Sequence, residues 1–101
     1  MRRRPVDNLL LDHWRGLDCV VVLRELADHV KQDKTFVPRE CRQATRWQVG
    51  VAGFDFELLC MGPRFFDTRA SRGGGGAIDL VMHLFCVDFN HAVAMLRGTG
   101  L

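Results

Sequence analysis

Arginines and glycines crowd into one stretch of this chain. Arg64, Arg69 and Arg72 lead into Gly73, Gly74, Gly75 and Gly76, with Phe65 and Phe66 just upstream. The glycines run straight into a segment in which Ile78, Val81, Met82 and Phe85 recur at i, i+3, i+4 and i+7, one face of a helix. Glycine tolerates φ > 0 and lets another backbone approach closely. A glycine-rich approach to a helix start directs N–H groups outward with the positive end of the helix dipole behind them, which is a potential phosphate seat. The three arginines add formal charge beside it. The spacing is not that of a P-loop, since no Gly-Lys-Ser/Thr follows, nor that of a dinucleotide fingerprint, since the preceding chain is too short for a βαβ unit. The same run would also serve as a plain flexible connector between strand and helix.

Other chemistry-bearing residues are sparser. Asp55 and Glu57 share a strand face by period-2 spacing and could hold a metal for phosphoryl transfer, but a solvated hairpin face explains them as well. Cys19, Cys41, Cys60 and Cys86 form no Cys-x-x-Cys pair, and the histidines are scattered. Cys19 and Cys86 lie in apolar segments and read as buried small hydrophobes, while Cys60 ends an alternating strand. His83 sits four residues after Asp79 and is expected to be its surface partner. No catalytic set at recognised spacing is present, so the chain is read as a non-enzyme that needs no cofactor and no metal.

The elements that must position these residues come from pattern. With 101 residues and 48% hydrophobic content, the chain is expected to form one small α+β module. Its net charge of +2 makes it no bulk polycation, so any nucleic-acid contact must come from clustered arginines. Arginine suits bidentate phosphate contact, and lysine appears only as Lys31 and Lys34. Residues 1–8 read as a basic mobile leader carrying Arg2, Arg3 and Arg4, with no secretion signal. A cytoplasmic location with reduced cysteines is expected. The apolar residues between Leu9 and Trp14 suggest a helical turn, and a helix is expected over residues 18–30 with Asp18 as N-cap.

The middle reads as sheet: an edge strand over 35–39 containing Pro38, then strands over 46–51, 54–60 and 64–68, the last three forming an antiparallel meander. Along the third of these, alternation sends one of Phe65 and Phe66 inward and the other outward. After the glycine-led helix, Asp88 or Asn90 caps a final helix to Arg97 with Gly98 as its stop. The expected core centre is Ile78, Val81, Phe85, Phe89, Val93 and Leu96.

Residues 65–97 resemble the zinc-binding domain of bacterial DNA primases. The frame Phe65-Phe66, then Gly76-Ala77-Ile78-Asp79-Leu80-Val81-Met82, then Asp88-Phe89-Asn90-His91-Ala92-Val93 follows that family's aromatic strand, first helix, acidic-Phe turn and second helix without a gap. The family's knuckle cysteines fall on Thr68 and Ser71, and its upstream Cys-x-x-His falls near Cys41-Arg42-Gln43-Ala44. A structural zinc needs four S or N ligands, so the resemblance is to a zinc-less relative, similar to small domains beside Toprim-type primase modules of plasmids and integrative elements.

The resemblance implies a zinc-ribbon-like meander with about three helices and an accessory module that binds single-stranded DNA or RNA. It implies a Toprim-type primase or a helicase as partner, or self-association. The candidate contacts are Arg64, Arg69, Arg72, Gly73, Gly74, Gly75, Gly76, Arg46, Trp47 and Phe66, a basic groove with stacking aromatics. The other reading is a protein-interaction adaptor using its edge strands or the 9–14 segment. Without zinc, packing alone must carry the fold. Treatment with a chelator is therefore expected to leave the melting temperature unchanged, and a large drop in a thermal melt would reveal a metal site.

Overall fold

A computed structural model describes residues 7–40 and 42–101. In chain order the elements are α1 (Asn8–Gly16), α2 (Cys19–Leu26), β1 (His29–Asp33), β2 (Thr45–Val51), β3 (Phe54–Met61), β4 (Arg64–Asp67), β5 (Arg72–Gly75), α3 (Ala77–Phe85) and α4 (Phe89–Arg97). The strands form one open antiparallel sheet in the order β1-β2-β3-β4-β5, an α+β meander with four helices. Residues 1–6 of the expected leader, and Cys41, lie outside the described residues; Asp7 and Asn8 already belong to the start of α1.

Carboxylates set the starts of three helices. Asp7 accepts the Leu9 N–H, Asp18 the Val20 N–H and Asp88 the His91 N–H, at 2.8, 3.1 and 2.8 Å, satisfying amides that have no partner within a helix. The expected cap at Asp18 is thus present, and of Asp88 and Asn90 it is Asp88 that caps. The 9–14 patch is part of a full helix rather than a single turn.

The helix expected over 18–30 stops at Leu26, because Ala27 is extended and residues 29–33 pair with β2 from Gly50 to Arg46. Val30 faces Val49 across that ladder, and cross-strand pairing outweighs helical periodicity. The edge strand therefore precedes the segment where it was expected. Residues 36–38 have no regular structure, following a turn in which Asp33 accepts bonds from the Thr35 amide and hydroxyl.

Register gives the sheet two unlike faces. Trp47, Val49 and Val51 on β2, Leu58 and Cys60 on β3, and Phe65 on β4 share one parity and are buried. They join Trp14, Val22, Leu23, Ile78, Leu80, Val81, Val93 and Leu96 in one core. Of the expected core centre, Ile78, Val81, Val93 and Leu96 are buried, Phe85 is half-buried and Phe89 is 42% exposed. Phe89 opens α4 directly after its cap, where the helix end projects from the core. Gly98 does not stop α4 through a left-handed conformation: its φ is −75°, and the left-handed glycine is Gly100.

The glycine run is neither a flexible connector nor an open helix approach. Gly73, Gly74 and Gly75 form most of β5, paired with Phe66, Phe65 and Arg64 of β4. A β-carbon on Gly74 would lie 2.9 Å from the tip of the Phe65 ring and 3.2 Å from Asp79 Cβ, and one on Gly73 would lie 3.1 Å from the Phe66 ring. Gly73 and Gly74 carry no side chain because the Phe66 ring covers the one face and the Phe65 ring the other. At Gly75 nothing stands nearer than Arg64 Cγ at 3.8 Å. Gly74→Ala is expected to lower stability by about 1–3 kcal/mol through overpacking, whereas Gly75→Ala should change it by no more than about 1 kcal/mol; urea unfolding of both variants checks the contrast.

Candidate nucleic-acid interface

The face of the sheet turned away from the helices carries Arg46 and Gln48 of β2, Asp55, Glu57, Leu59 and Met61 of β3, Arg64 and Phe66 of β4, and Gly73 and Gly75 of β5. Of the adjacent aromatics, Phe65 points inward and is 6% exposed, while Phe66 points outward at 42%. Beside Phe66 an open groove of about 560 Å³ is lined by Ala44, Leu59, Met61, Arg64, Phe66 and the glycines of β5. A second groove, lined by residues 36–40, shares Ala44 and Leu59 with it, so the depression continues across the sheet toward Arg39. The β3–β4 end of its floor is apolar, and Arg39 and Glu40 stand together at the other end.

The sequence-derived candidates therefore divide. Arg64, Phe66, Gly73 and Gly75 come together on the outer face. Among the described residues Arg64 has no carboxylate partner. Arg46 shares that face but is engaged: its Nε donates to Asp33 at 2.9 Å, its guanidinium lies 5.1 Å from the Phe36 ring centre, and Glu57 is 3.9 Å away. The Thr35 hydroxyl first, and then Arg46, hold the Asp33 carboxyl down to about 2. Glu57 is held below the usual carboxylate range, first by the Thr68 hydroxyl and then by the Gln48 amide.

Trp47 lies on the opposite, core side, 6% exposed, with its indole N–H donated to Thr45 Oγ1 at 2.7 Å and the Arg24 guanidinium over its ring. It is structural in this arrangement and cannot offer a stacking face to the groove. Arg72 and Gly74 also have the core-side parity, Arg72 at the sheet edge beside Asp79 and His83. Arg69 projects from the β4–β5 turn, its guanidinium 3.4 Å from the Asp55 carbonyl oxygen.

The phosphate seat expected at the start of α3 is closed. Gly76 has φ +91° and is buried against the backbone of Arg15, its N–H donating to the Pro63 carbonyl. Ala77 and Ile78 are buried, and the Gly75 N–H is taken by the Asp79 carboxylate at 3.2 Å. An internal carboxylate occupies the place an external anion would need.

Leu59, Met61 and Ala44 were not among the candidates. The signal was present in β3, where the outward row reads Asp55, Glu57, Leu59, Met61 and turns from acidic to apolar where alternation calls for polar residues.

His83 does not pair with Asp79. Its Nε2 meets Asp67 Oδ2 at 2.7 Å, with the Phe65 and Phe56 rings alongside. Asp67 is only 3% exposed, and its other oxygen accepts the amides of Arg69 and Ala70, both at 3.0 Å, so it fixes the turn joining β4 to β5. Cys86 is exposed at the left-handed end of α3 rather than buried, and Cys60 is buried. Among the described residues no group of three His, Cys, Asp or Glu side chains could hold a metal ion, and no single helix is long and apolar enough to cross a membrane.

Burial pushes the Asp67 carboxyl up, but the Ala70 amide, His83 and the Arg69 amide outweigh it and hold it below the ordinary value. A carboxylate depressed in the folded state stabilises above its unfolded value, about 3.9, and loses that contribution as pH falls through the folded value. Asp67→Asn should cost about 1–3 kcal/mol at neutral pH, and the gap to wild type should narrow below about pH 4 in urea titrations across pH. A gap that stays constant would contradict this role.

No protein-family model matches this chain, and no curated protein or solved structure matches it significantly.

Proposed function

We propose that the protein is a single-stranded nucleic-acid-binding accessory module, related to the template-binding domain of DNA primases and acting beside a replication-type enzyme such as a Toprim-type primase or a helicase. One observation carries this reading: a half-exposed Phe66 and Arg64, an arginine with no carboxylate partner among the described residues, stand beside the consecutive glycines of β5. A base can lie flat on an aromatic ring only where neighbouring side chains leave room, and Gly73 and Gly75 leave it. Stacking on Phe66 is worth about 1–3 kcal/mol per base and is tolerant of sequence. Arg64 offers a phosphate contact whose strength depends on salt. Duplex fits this surface poorly, since its bases are already stacked.

The second reading is a protein-docking adaptor. The floor formed by Leu59 and Met61 favours it, together with the exposed Leu9, Val37 and Phe54, at 78, 77 and 69%.

Binding of a fluorescent single-stranded oligonucleotide at two salt concentrations separates the readings. Phe66→Ala is expected to weaken binding about 5- to 150-fold. Arg64→Ala should lower the salt slope by about one. Arg69→Ala and Arg72→Ala, away from the groove, should have smaller effects. Absence of salt-dependent binding in the folded wild type overturns the nucleic-acid reading and leaves protein docking on the same groove.

A further inference from the structure

On the core side of the sheet, two thiols meet. Cys19, the first residue of α2, and Cys60, near the end of β3, bring their sulfurs to 3.1 Å although 41 residues separate them in the chain. Both are almost fully enclosed, at 1 and 2% exposure. The backbone holds the approach: the Cys19 N–H donates to the Gly62 carbonyl at 2.7 Å, tying the start of α2 to the turn that follows β3. Thr45 lies across the ladder from Cys60, its hydroxyl 3.4 Å from the Cys60 carbonyl. Neither sulfur has to travel far for a bond to form.

We propose that Cys19 and Cys60 are a reversible dithiol/disulfide site, oxidised by exchange with a low-molecular-weight disulfide. In the first step a thiolate of the pair attacks the small disulfide, forming a mixed disulfide and releasing one small thiol. In the second the remaining thiolate attacks the protein sulfur of that mixed disulfide, forms the Sγ–Sγ bond and releases the second small thiol. The two protons lost by the cysteines end on the two released thiols, and the small disulfide takes the two electrons.

The closed core delays the first step. The hydrogen bond with Cys60, and then burial, push the Cys19 thiol up, so the reactive thiolate is scarce while α2 is docked. Exchange must use local opening at the start of this eight-residue helix. Once formed, the bond closes a long loop in the unfolded chain, and constraints of that length give large stabilisation.

The test uses the full chain with Cys41→Ser and Cys86→Ser, equilibrated in glutathione buffers from reducing to oxidising and read by intact mass, alkylation and thermal melting. Cys19 and Cys60 should lose their alkylation together. No glutathione should remain attached, and the mass should fall by two hydrogens. The melting temperature should rise on the order of ten degrees and return with dithiothreitol. Adding Cys60→Ala should abolish the rise.

Stable glutathione adducts, thiols still free in the most oxidising buffer, a lower melting temperature on oxidation, or an equal rise in the Cys60→Ala chain would each overturn the proposal. Peptide mapping of the unsubstituted chain is a second check: a Cys19–Cys60 bridge supports the site, and pairing of either cysteine with Cys41 or Cys86 overturns it.

Discussion

A strand with almost no side chains can stay in a sheet only if its neighbour covers it, and this constraint runs through the whole molecule. β5 contributes backbone and little else, so Phe65 on one side and Phe66 on the other supply what its glycines lack. Glycine loses more conformational freedom on folding than any other residue, and three consecutive glycines in a strand would be unfavourable in isolation. The aromatic rings offset that cost by burying apolar area directly over the glycine backbone. Asp67 then fixes the turn between the two strands by accepting hydrogen bonds from the Arg69 and Ala70 amides and through its contact with His83. The enclosed carboxylate, the histidine and the two phenylalanines are parts of one joint.

That joint gives the sheet its polarity. Phe65 closes the core at the edge where α3 departs, and Gly76 lets α1 come within van der Waals contact of the helix start. Phe66, one residue on, must face away, and with no side chain on Gly73 or Gly75 its ring borders an open depression. Gly74 and Gly76 make the core edge tight, while Gly73 and Gly75 leave the outer face accessible. Charge on that face is distributed unevenly: Arg46 is neutralised by Asp33 and Glu57, while Arg64 stands beside the apolar end. Arg64, with no carboxylate partner among the described residues, and the exposed Phe66 ring stand together at the β4–β5 end of the groove.

α2 is attached differently from the other helices. It is short, and its start is held by a hydrogen bond from the Cys19 amide to the β3–β4 turn and a thiol pair to β3. Val22 and Leu23 anchor its middle in the core.

Much of the architecture was legible in local pattern. Alternation marked β2, β3 and β4, helical periodicity marked α3 and α4, and Asp18 and Asp88 announced helix starts, because each signal depends on residues a few positions apart. What sequence could not decide was set by partners distant along the chain. Residues 29–33 look like the tail of a helix until β2 offers them a ladder, and the glycine run looks like a loop until Phe65 and Phe66 arrive to cover it. Trp47 looks like a stacking platform until register turns it to the core. Asp79 looks like the partner of His83 until a buried Asp67 competes for it. The chain by itself determined which residue types were available and the period with which they could be displayed. Tertiary structure alone decided which face each period was turned to and which carboxylate met which cation, since burial and pairing energies belong to residues that only folding brings together.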